Sequence, residues 1–125
     1  MKSKEFASGT EHNGLEVQEF IRWVCTKLMI NMEMPHVTFS REKESEEQDR
    51  TGYYNAETNE MWIYTGNRNL VDIMRTVAHE LSHHKQKLDG QTSANTPVGD
   101  LETQADMAAG MLMKIWVRKH PEIIE

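Results

Sequence analysis

One cysteine, three prolines and no long apolar run set the first limits on this chain of 125 residues. With Cys25 alone, no disulfide can close within the chain. Structural zinc sites made of four cysteines, or of two cysteines and two histidines, are excluded for the same reason. Cys25 sits among apolar positions and reads as a small core residue on a helix. No apolar stretch approaches the roughly 20 residues that a membrane span requires. The polar segment from Met1 to Gly14 never develops the apolar stretch of a secretory signal. Basic residues are also scarce, 14 against 20 acidic, leaving a net charge of −6. A general nucleic-acid binder needs the opposite balance, because its affinity comes from neutralising phosphates. These absences predict a soluble, cytoplasmic protein with neither a membrane nor a nucleic-acid partner.

The length suits one compact domain with its own core. Residues 1–14 read as a loose arm and 15–125 as that single domain. Leu15, Val17, Phe20, Ile21, Val24, Leu28 and Met29 recur at helical spacing until Pro35 stops the pattern. His36 to Ser40 reads as a short strand. The run from Arg41 to Arg50 holds no apolar residue and is expected to be a solvated loop. Two further strands, Thr51 to Tyr54 and Glu60 to Tyr64, flank Asn55 to Asn59, which has the composition of a hairpin turn. A long helix follows from about Asn69 to Leu88, with Leu70, Ile73, Met74, Val77, Leu81 and Leu88 on one face and Asp89-Gly90 as its stop. After a polar loop, a last helix from about Asp100 to Lys119 carries Leu101, Ala105, Ala108, Leu112, Ile115 and Trp116. Helix, three strands, then two helices make an α+β layout, with a small, mostly antiparallel sheet expected.

Chemistry concentrates in the long helix, at His79-Glu80-Leu81-Ser82-His83. Histidines four apart on a helix share a face about one turn apart, so two imidazoles can meet at one metal. Leu81 points the other way, into the apolar stripe. Glu80 flanks the ligand face, where a general base for a metal-held water belongs. Catalytic zinc usually takes three protein ligands and keeps a position for water. On the last helix Glu102 and Asp106 share a face, and Ala105, Ala108, Ala109 and Gly110 would allow close approach. Glu102 is assigned as third ligand and Asp106 as the acceptor that fixes a ligand histidine's tautomer. Two rivals stay open for the third position. A ligand shortly beyond the second histidine, past a glycine turn, points to Asp89 or Gln86; Gln86 lacks that glycine, which leaves Asp89. A late histidine would have to be His120, beside Pro121.

The segment His79 to His83, followed by Leu101-Glu102-Thr103-Gln104-Ala105-Asp106-Met107-Ala108-Ala109, resembles the gluzincin zinc metallopeptidases. It is most similar to the compact ImmA/IrrE-like group, with its H-E-x-x-H helix and later E-x-x-A-[ND]-x-x-A helix. The resemblance covers about the last half of the chain. It implies a minimal zincin-like fold, one Zn2+ per chain and peptide-bond hydrolysis. His79, His83 and Glu102 would be the ligands, Glu80 the base activating a zinc-bound water, and Asp106 the partner of a ligand. Lys85 departs from the apolar residue of the wider pattern, and His84 is expected to be a partly exposed helix residue. The strand from Glu60 to Tyr64 is expected at the sheet edge along the cleft, where an extended peptide could pair with it. The expected function is that of a small metalloendopeptidase acting on a peptide or protein substrate. The alternative is a zinc-binding, non-hydrolytic interaction module, of phage or mobile-element origin.

Overall fold

The computed structural model describes residues 10–31, 33–43 and 49–124. Helix α1 (Thr10–Lys27) precedes strands β1 (His36–Ser40), β2 (Gly52–Asn55) and β3 (Glu60–Tyr64); α2 (Leu70–Leu88) and α3 (Val98–Lys119) follow, with a 3-10 turn at Pro121–Ile124. The architecture is α+β. Of the expected arm, residues 1–9 lie outside the described residues, and 10–14 belong to α1.

α1 buries Val17, Phe20, Ile21, Val24 and Cys25, the stripe that a step of about 100° per residue lays along one side. Leu15, expected in that stripe, is exposed, because it lies about 160° around the helix from Val17. Met29, also expected inside, is exposed as well. It takes the left-handed conformation (φ 59°) that ends the helix, and the turn lets the Ile30 N–H donate to the Cys25 carbonyl at 2.8 Å.

The sheet departs from the expectation in its pairing. Its order is β1-β3-β2, with β1 parallel and β2 antiparallel to β3. The sheet is therefore mixed, and β3 is its central strand, not an edge. The β2–β3 hairpin is local, and Asn55 Oδ1 shapes its turn by accepting from the N–H groups of Glu57 and Thr58. The β1–β3 pairing is not local: the chain leaves β1 and returns on the far side of β3, which no pattern within either strand encodes. Both main-chain edges of β3 are occupied, so an added peptide strand has no place there. The outer strand nearer the helices' cleft is β2.

α2 packs against α1, α3, β2 and β3. Asn69 caps its start, Oδ1 accepting from the Asp72 N–H at 2.9 Å. Gly90 (φ 82°) leads the chain away at its end. Ile73, Met74, Val77, Ala78 and Leu81 join Phe20, Val24, Met61, Ile63, Leu112 and Trp116 in one core. Each fully buried Ile, Val, Leu or Met stabilises by about 1.5–3 kcal/mol, so the core side of α2 anchors the helix and leaves its other side free for polar groups. Along α3 the buried stripe is Ala105, Ala109, Leu112, Met113 and Trp116. Among the described residues, no helix is long and apolar enough to cross a membrane.

Candidate metal centre

Three side chains from two helices converge at one point. His79 Nε2 lies 3.0 Å from Glu102 Oε1, His83 Nε2 lies 3.0 Å from Glu102 Oε2, and the two Nε2 atoms are 3.1 Å apart. One ligand atom from each residue lies within 4.8 Å of the others, the arrangement a metal ion needs. α2 supplies both imidazoles through their four-residue spacing, and α3 runs beside it to present the carboxylate.

The outer nitrogen of each imidazole is also engaged. His79 Nδ1 lies 2.8 Å from Asp106 Oδ1, and His83 Nδ1 lies 2.8 Å from Gln86 Oε1. Gln86 Nε2 donates to the Leu101 carbonyl at 2.9 Å, which fixes its amide so that Oε1 faces the ring. An ionised carboxylate and an amide oxygen only accept, so both Nδ1 atoms donate; when the two rings are neutral, their Nε2 atoms offer lone pairs. Two lone pairs and a carboxylate then face one another at about hydrogen-bond distance. A proton or a cation among them relieves the repulsion, and two nitrogens with one carboxylate oxygen form a donor set of the catalytic zinc type.

Glu80 is 6% exposed, beside this cluster. Burial pushes its carboxyl above the ordinary carboxylate range; His79 and His83 pull it down, Glu102 adds to the rise and Arg50 opposes it. A carboxylate so poised can both take and return a proton. In front lies a cavity of about 520 Å³, walled by β2 and its lead-in, by α2 and by Glu102 and Asp106 of α3. Gly52 lets β2 approach: a Cβ there would come within 2.5 Å of Thr76 Cγ2. Thr76 cannot retreat freely, since its hydroxyl holds Arg68 and the Asp72 carbonyl.

The rival ligands lie elsewhere. Asp89 pairs with Lys85 at 3.1 Å, and His120 stacks on Trp116 with centroids 4.0 Å apart. Gln86 Oε1 lies against His83 Nδ1 and not among the converging Nε2 atoms. Its signal in the sequence was its place seven residues after His79, two turns along the same face. His84 is fully buried rather than partly exposed, and its Nδ1 meets the Tyr54 hydroxyl at 2.8 Å. The hydroxyl of Tyr54 is thus spent on His84 and Asn59, away from the cluster. No family model matches the chain, and no curated protein or solved structure is significantly similar to it.

Proposed function

We propose that the protein is a small zinc-dependent metallopeptidase of the compact gluzincin kind, which hydrolyses peptide bonds in a peptide or protein substrate. One observation carries the reading: the Nε2 atoms of His79 and His83 and the carboxylate of Glu102 converge within 4.8 Å at an open cleft. Zinc bound there supplies a Lewis acid that acidifies water and polarises a carbonyl oxygen. Glu80 accepts the proton of the attacking water and delivers it to the leaving amine as the C–N bond breaks. Asp106 and Gln86 keep both Nε2 lone pairs aimed at the cleft by holding the opposite nitrogens. β2, an outer strand of the sheet, lines the same cavity from Gly52 to Tyr54, where an extended substrate would lie along the cleft.

Metal analysis and turnover of casein test the proposal together. Wild type is expected to bind one zinc and to cleave, Glu102→Ala to lose the metal, and Glu80→Gln to keep it while losing turnover by about 10²–10⁴-fold. Absence of zinc in the wild type, or full activity in Glu80→Gln, would sink the proposal. Zinc without cleavage of casein or of a peptide library would assign the non-hydrolytic interaction module instead.

A further inference from the structure

The walls of the cleft carry four acids, Asp49, Glu80, Glu102 and Asp106, and two arginines. Glu102 and Asp106 are held against the two imidazoles, and Glu80 stands beside them. Arg50 and Arg75 line the same wall. Arg75 precedes His79 by four residues, so it continues the line of His79 and His83 one turn, about 6 Å, toward the start of α2. Its guanidinium is exposed, and among the described residues no hydrogen bond or ion pair engages it. Arg68, seven residues earlier, shows the contrast: its guanidinium is tied to Tyr64, Asp72 and Thr76. Arg50 lies 5.7 Å from the centre of the Tyr53 ring, at the mouth of the cavity.

Beyond Arg75 a second cavity of about 330 Å³ opens between α2 and α3. Arg75 lines both cavities. Lys114 and Arg118, one turn apart on α3, join it, Met113 and Val117 contribute apolar surface, and no acid lines it. A Cβ at Gly110 would meet nothing within 4 Å, which leaves the passage open. On a chain of net charge −6, such a tract is a local departure from the field of the whole protein.

We propose that this cationic tract, Arg50, Arg75, Lys114 and Arg118, selects acidic peptides: it takes Asp or Glu side chains of a substrate segment that runs from the metal centre into the second cavity. The substrate class rests on the peptidase reading; the recognition rests on charge and shape alone. Fluorescence anisotropy with the full-length Glu80→Gln protein separates the two. The probes are labelled twelve-residue peptides rich in Asp and Glu, their Asn and Gln counterparts, and a twelve-nucleotide single-stranded DNA. At low salt the acidic peptide is expected to bind about tenfold more tightly than the amide peptide. Arg75→Glu should remove most of that preference, and Lys114→Glu with Arg118→Glu a further part, with thermal unfolding unchanged because all three side chains are exposed. Equal binding of acidic and amide peptides, indifference to Arg75→Glu, or DNA bound as tightly as the acidic peptide would overturn the inference. In a parallel digest by wild type with zinc, equal cleavage of neutral and acidic peptides would overturn the tract and leave the peptidase. Acidic preference in binding without any cleavage would overturn the peptidase and leave the tract.

Discussion

His83 and His84 adjoin in the chain and sit in opposite worlds. One residue turns the helix by about 100°, enough to move an imidazole from the cleft wall to the wall that faces the sheet. His83 keeps 17% of its side chain exposed, gives its Nδ1 to Gln86 and aims Nε2 at His79 and Glu102. His84 is fully buried and packs edge-on against Tyr54. Burial pushes its pKa below the ordinary histidine value, and the Glu33 backbone opposes the shift. Residue type alone does not make a ligand. What distinguishes the two is open space ahead of Nε2, shared with Glu102 and a second imidazole.

The sharpest break of this comparison is a pair of alanines. His83→Ala is expected to abolish stoichiometric zinc while leaving the metal-free fold nearly intact; His84→Ala should retain zinc and lose about 2–4 kcal/mol of stability, through the cavity and the hydrogen bond lost by the Tyr54 hydroxyl. Elemental analysis beside urea unfolding reads both, and a reversed pattern would exchange the roles of the two histidines. The supporting partners come next. Gln86→Leu should weaken zinc by about 10–100-fold, whereas Tyr54→Phe should leave zinc untouched and cost about 1–3 kcal/mol by unpairing a buried nitrogen. Competitive chelator titration and denaturant midpoints measure these two effects.

The smallest effect sharpens the core side of the comparison at Cys25. Burial pushes its thiol above the ordinary value of 9.0. Fewer thiolates then form at a given pH than in the unfolded chain, so iodoacetamide labelling at pH 8 should lag in the folded protein and its pH profile should shift upward. Labelling as fast as in urea would show that the site opens readily.

Local patterns were legible in the sequence, and non-local ones were not. The spacing of His79 and His83 alone puts both rings on one face of α2, and the Asp89-Gly90 stop falls where the helix ends. Glu102 and Asp106 could be placed on one face of α3 because helical geometry is local. The pairing of β1 with β3 joins residues more than twenty positions apart through a connection with no apolar signal, so the central place of β3 was hidden. His84 is buried rather than partly exposed because its angle on the helix places it beside Ile73 and Val77. Gln86 was weighed only as a ligand. Its work depends on the Leu101 carbonyl, which only the packing of α3 brings near.

The two last helices meet at three levels: His79 with Asp106, His83 with Glu102, and Gln86 with the Leu101 carbonyl. These rungs hold the helices in register from within, so the connecting segment need not. Thr92 to Asn95 are exposed, and Gln91 to Ser93 border a cavity of about 270 Å³ that also touches His83 and Glu102. Doubling the length of such a connection costs only about 0.6 kcal/mol. The hairpin between the helices is therefore a graft point, where foreign sequence can change what reaches the centre while the centre itself stays as it is.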